Sequence, residues 1–194
     1  MTTTVCVVYH SGYGHTQKQA EAVAAGVAAV EGVSCELLPV ADLADAEADG
    51  WATLDGCDAM IFGSPTYMGS ASAEMKRFME LTSTRWQQQA WADKLAAGFT
   101  NSGSQNGDKQ NTLVEFATLA AQQGMVWINL NLMPGNNSTG GSIEDLNRLG
   151  SSLGAMAQSD VDASPDVAPP TADLQTAEKL GERMASCVLR WGQG

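Results

Sequence analysis

Strand-length apolar runs alternate along this chain with polar turns and amphipathic helical stretches, and that alternation limits the possible folds more than any other feature. Strands separated by helices are joined by crossovers, so they lie parallel in a sheet covered by helices on both faces. The first run is Val5-Cys6-Val7-Val8-Tyr9. A polar turn from Ser11 to Thr16 follows. Next comes a helix to about Glu31, whose Ala20, Val23, Ala24, Val27 and Val30 fall at helical spacing before Gly32 stops it. Val33 to Leu38 alternates like an edge strand, and the acidic, Ala-rich stretch from Asp42 to Gly50 reads as a short helix. Ala59 to Gly63 is apolar throughout, as a strand covered on both faces should be. Beyond it lie a helix with Met75, Phe78 and Met79 on one face, a fourth strand from Leu95 to Phe99, and a helix from about Thr112 to Gln123 closed by Gly124. Met125 to Leu130 reads as the fifth strand. The segment from Asn131 to about Pro170 is too long for an ordinary connection and is therefore functional or partly disordered. A last helix, Thr171 to Trp191, presents Ala177, Leu180, Met184, Val188 and Trp191 to the sheet. The pattern predicts a single α/β domain over residues 1–194. Its doubly wound sheet is expected to have five parallel strands, with a long insertion at about 131–170.

Charge removes several function classes. Acidic residues outnumber basic ones 22 to 10, a formal charge of −12, and the basic residues are scattered apart from Lys76-Arg77. Such a field repels nucleic acid and anionic membrane surfaces. No apolar run is long enough to span a bilayer and no basic segment precedes an apolar core at the N-terminus, so a cytoplasmic protein is expected. Cys6, Cys35, Cys57 and Cys187 are widely spaced and only two histidines exist, so no metal site is expected.

In an open parallel sheet, ligands bind beyond the carboxyl ends of the strands, where the strand order reverses. Three polar loops follow the first, third and fourth strands and should converge there. The first, Ser11-Gly12-Tyr13-Gly14-His15-Thr16, opens directly into a helix whose leading N–H groups have no partner, which makes an anion site of dipole and amides. No Gly-Lys-Ser or Gly-Lys-Thr occurs, which removes the Walker loop, and the dinucleotide pattern G-x-G-x-x-G fails at Gln17. A loop that holds one phosphate ester with amides and hydroxyls, and without Lys or Arg, suits flavin mononucleotide (FMN) in a flavodoxin-like fold. A plain strand-to-helix turn uses the same Ser and Gly. Two further loops at the same edge favour a ligand.

Three motifs together resemble the flavin loops of the WrbA-type NAD(P)H:quinone oxidoreductases. They are Ser11 to Thr16, Phe62-Gly63-Ser64-Pro65-Thr66-Tyr67-Met68-Gly69, and Ser102-Gly103-Ser104. The likeness extends over nearly the whole chain, including Gln123-Gly124-Met125-Val126. It implies a flavodoxin-like fold with strand order 2-1-3-4-5, bound FMN, two-electron reduction of a quinone by NADH or NADPH, and a homo-oligomer, dimer or tetramer. By the same resemblance, Ser11, Gly12, Tyr13, Gly14, His15 and Thr16 hold the phosphate. Pro65, Thr66, Tyr67, Met68 and Gly69 lie along the isoalloxazine. Asn101, Ser102, Gly103, Ser104, Gln105, Asn106 and Gly107 wrap its pyrimidine end. Tyr13 also faces the nicotinamide, and Trp86 matches the position that flanks the substrate. The chain departs from the family at Gln122-Gln123, where two histidines are common, and at Tyr67, where Arg is common.

The expected function is an FMN-dependent oxidoreductase, an NAD(P)H:quinone reductase that passes hydride through the flavin by ping-pong kinetics. The alternatives are a flavodoxin-type electron carrier, which the acidic charge would suit, and a flavin-binding protein without turnover.

Overall fold

A computed structural model describes residues 3–192. Strand β1 (Thr3–Tyr9) leads into helix α1 (His15–Ala28), and β2 (Val33–Pro39) is followed by a 3-10 turn at Val40–Leu43 and by α2 (Gly50–Gly56). Next come β3 (Ala59–Tyr67), the short return strand β4 (Ser70–Ala71), α3 (Ala73–Leu81), α4 (Ser83–Gln88), β5 (Leu95–Ser102) and α5 (Lys109–Gln122). The chain ends with β6 (Val126–Trp127), β7 (Ala155–Gln158) and α6 (Thr171–Trp191).

The sheet runs β2-β1-β3-β5-β6, all parallel, with β4 antiparallel to β3. This is the expected flavodoxin-like order, with the last position made in an unexpected way. The run Met125 to Leu130 contributes only β6, beside Leu95 and Ala96. The chain then leaves the sheet and returns as β7, parallel to Phe99–Ser102, so two segments share the fifth strand position. Ile128, Leu130 and Leu132 keep their apolar character because they pack against the core from beyond the ladder. The segment Asp42 to Gly50 is likewise not a helix. The 3-10 turn precedes most of it, and α2 begins where it ends.

Strands β1, β3 and β5 are buried along nearly their whole length because the helices form two layers. Val5, Val7, Ile61 and Phe99 face α1 and α6, while Cys6, Val8, Met60 and Phe62 face Trp51, Phe78, Leu113 and Phe116 on the other side. This alternation is the period-two pleat. Helices α1 and α6 touch backbone to backbone: a methyl group on Gly26 would collide with the Glu178 carbonyl, and one on Gly181 with the Val23 carbonyl. Trp191 does not join this core. It is half exposed and donates its indole N–H to the Asp93 carbonyl at 3.0 Å.

The insertion is tied down by polar side chains. Asn147 donates to the carbonyls of Leu132 (2.9 Å) and Ser151 (2.8 Å), and its own carbonyl oxygen accepts from the Ser151 N–H. Arg148 makes a two-pronged ion pair with Asp173 in the first turn of α6, at 2.7 and 2.8 Å, and Asp173 also accepts the Gln158 N–H from β7. Both charged side chains are largely withdrawn from water, with exposures of 11% and 2%.

Candidate functional site

The three polar loops meet at the carboxyl edge of the sheet around a cleft of about 520 Å3. In the first loop the Ser11 hydroxyl oxygen accepts from the N–H groups of Gly14 and Gln17, both at 3.1 Å, which bends the loop back on itself. Gly14 takes a φ of 91°, the left-handed region that favours glycine, and Pro165 packs where its side chain would be. No partner among the described residues takes the N–H groups of Gly12, Tyr13, His15 and Thr16. They stand at the positive end of the α1 dipole, beside the buried Thr16, and make a cradle for an anion. Ser11 therefore shapes the cradle by accepting, and only its hydroxyl proton remains to reach a ligand.

The second loop divides its residues between wall and rim. Pro65, Thr66 and Tyr67 line the cleft. The Thr66 hydroxyl, however, is committed inward, to Thr100 at 2.8 Å and Thr112 at 2.7 Å. Tyr67 and Tyr13 meet edge to face with ring centroids 6.3 Å apart, and burial raises the Tyr67 phenol above its ordinary range. Met68 (φ 51°) and Gly69 (φ 81°) form the turn into β4. The Met68 side chain stands fully in solvent outside the cleft lining.

Asn101, Ser102 and Gly103 of the third loop line the cleft. Gln105 and Asn106 instead face a second cavity of about 560 Å3, with Gln110, Asn129 and Met156. Ser104 and Gly107, with φ 58° at the latter, turn the loop between the two. Trp86 is not brought to the cleft within one chain. It lies half exposed on α4 in a separate groove with Met79, Val114 and Gln122.

Several residues that build the site had no sequence signal. Ser159, Val161 and Ala163, from just beyond β7, complete the cleft. The Ser159 hydroxyl donates to the Asn101 side-chain oxygen at 2.9 Å, which leaves the amide NH2 as the free end. Val161 packs on Gly103, and the His15 ring Nε2 lies 2.9 Å from the Ala163 carbonyl oxygen. Lys109 is fully buried at the start of α5 and gathers Ser102 Oγ (2.9 Å) and the carbonyls of Ser104 (2.5 Å) and Gln105 (3.1 Å). The length of the insertion marked it as functional or partly disordered but gave no sign of which of its residues reach the cleft. A charged residue opening a helix reads as solvated.

His10 serves the scaffold. Its Nδ1 pairs with Ser72 Oγ at 2.8 Å, which also bonds Ser64, and burial lowers the ring's pKa. The cleft lining contains no Asp, Glu, Lys, Arg or Cys. Such a surface binds and orients. It has no paired acid and base of its own.

Residues 9–137 match the family described as NADPH-dependent FMN reductase. The chain is 42% identical over 179 residues to flavodoxin FldP of Pseudomonas aeruginosa, covering 92% of this chain and 93% of that one. It is 32% identical over 179 residues to a protein of Syntrophobacter fumaroxidans named NAD(P)H dehydrogenase (quinone), covering 80% and 88%. Among solved structures it resembles a flavodoxin, WrbA-like protein from Agrobacterium tumefaciens, with TM-score 0.71, 38% identity, and 97% and 98% of the two chains covered.

Proposed function

Because this chain belongs to the NADPH-dependent FMN reductase family, as a WrbA-type flavodoxin-like FMN protein, we propose that it reduces quinones with electrons from NADH or NADPH. Family membership makes it an FMN-dependent oxidoreductase of flavodoxin-like fold. The single observation that carries the cofactor assignment is the cradle of four unpaired N–H groups opening into a cleft free of acidic side chains. A dianionic phosphate fits the first and a planar polar ring fits the second. Bound there, FMN supplies the two-electron chemistry.

The protein's part is binding and placement. Gly12 to Thr16 would hold the phosphate by amides and dipole, with Ser11 fixing the loop. Tyr13, Pro65 and Tyr67 would flank the ring, and Asn101, oriented by Ser159, would offer it an amide N–H. Tyr13, 77% exposed at the rim, is placed to meet a nicotinamide or a quinone arriving from solvent. One opening for both substrates implies that they take turns there. Met68, Gly69 and Ser104 to Gly107 would act through the shape of the loops. Trp86 would reach a substrate only across a contact between copies, in a dimer or tetramer.

A second reading has specific support. The charge of −12 and the 42% identical relative named flavodoxin favour an electron carrier. Anaerobic titration of the FMN-loaded protein with NADH and NADPH separates the two. Bleaching of the flavin followed by its recovery on adding benzoquinone is the expected outcome. No bleaching with either nucleotide would leave the carrier.

A further inference from the structure

The cleft lining carries no formal charge, yet immediately behind it lies a buried cation. Lys109 is one hydrogen bond away from the cleft, through Ser102 Oγ at 2.9 Å, and its other two partners are carbonyl oxygens. Among the described residues no carboxylate pairs with it: Asp173, whose charge acts on it, is occupied by Arg148. Three neutral acceptors would also be satisfied by a neutral donor group, so loop shape alone does not require a full charge. Burying one is costly unless something gains from it.

We propose that Lys109 is an electrostatic positioning residue, whose buried charge behind Ser102 favours the reduced, more negative form of the flavin over the oxidised form. The inference rests on the FMN reading of the cleft. Two-electron reduction at neutral pH leaves negative charge at the pyrimidine end of the ring, the end assigned to the third loop. A fixed cation across a dry wall stabilises that charge with little screening. In a protein of net charge −12 this local reversal of sign would keep the flavin reducible by a hydride donor. Burial draws the Lys109 pKa down to about 8, with Arg148 pushing the same way and Asp173 opposing, so the ammonium is the main form at neutral pH and is lost above it.

The test compares wild type, Lys109→Met, Lys109→Gln and Ser102→Ala by the dissociation constants of oxidised and reduced FMN and by the midpoint potential. Wild type failing to bind FMN would defeat the functional reading itself. If wild type binds, Lys109→Met and Lys109→Gln should each lower the preference for reduced over oxidised FMN about tenfold, a fall of about 30 mV in the two-electron potential. Ser102→Ala, which removes a hydrogen bond but no charge, should weaken both forms equally and leave the potential in place. Equal weakening of both forms in the lysine variants would reduce Lys109 to a loop clamp and overturn the proposal. Should those variants fail to fold, the wild-type potential measured against free FMN from pH 7 to 9.5 decides. An additional fall above about pH 8 supports the charge, and its absence overturns it.

Discussion

The backbone of the loop from Ser11 to Thr16 is bent by one of its own hydroxyls, which accepts from Gly14 and Gln17, whereas the loop after β5 has its backbone and amide set by side chains outside it. Lys109 draws in the carbonyls of Ser104 and Gln105, Ser159 turns the Asn101 amide, and Val161 covers Gly103. Both loops line the same cleft. The grip on an anion needs only free amides and a helix dipole, which neighbouring residues supply. A wall for a neutral ring needs oriented side chains, and those arrive from distant parts of the chain. If FMN binds as proposed, phosphate recognition and ring recognition should therefore be separable by mutation.

The largest effect should come from cutting the outside support at its root. Asp173→Ala leaves Arg148 buried without its partner, a loss of about 3 to 5 kcal/mol by urea unfolding. An unfolding curve matching wild type would show that the insertion stands without this tie. Next is Thr16→Ala, beside the amide cradle. It should weaken FMN by about 1 to 3 kcal/mol and spare riboflavin, which lacks the phosphate, as titration of the apoprotein would show. Loss of both ligands alike would erase the distinction between the loops. Ser159→Ala should do the reverse, costing FMN and riboflavin equally by about 0.5 to 1.5 kcal/mol. The smallest effect is expected from Trp86→Ala, which lies off the cleft and should leave FMN affinity within about 0.5 kcal/mol of wild type. A larger change would bring Trp86 back to the flavin.

The same division explains what could be read in the sequence. Strands β1, β3 and β5 are covered on both faces, so each leaves an unbroken apolar run, and α6 begins and ends where its apolar spacing does. The turn at Ser11 could be read locally because the hydrogen bonds its hydroxyl accepts span six positions at most, whereas the contacts of His15 with Ala163 and of Gly14 with Pro165 left no local sign. Met125 to Leu130 misled because residues that pack against a core from outside the sheet are as apolar as those within it. Strand β7, Ala155–Gln158, is short and carries no run of its own; its partner at Phe99–Ser102 defines it. Lys109 and Ser159 act through bonds formed only in the folded chain. Trp86, placed at the substrate by family likeness, lies in a groove that one chain does not bring to the cleft.

The divided fifth strand also sets the order in which a chain made from its N-terminus can complete itself. Residues through Trp127 contain β1, β3, β5 and the amide cradle, so most of the sheet and the loop from Ser11 to Thr16 precede β6 in synthesis, whereas Ala163 and Pro165, which pack on that loop, follow it. Phe99–Ser102 then remains an open edge until β7 emerges, and α1 waits still longer for α6. Through that interval the nascent chain could hold a phosphate but has no Val161 or Ser159 with which to select a ring. If the cleft holds the flavin ring as proposed, its selection would wait for the residues that follow β7.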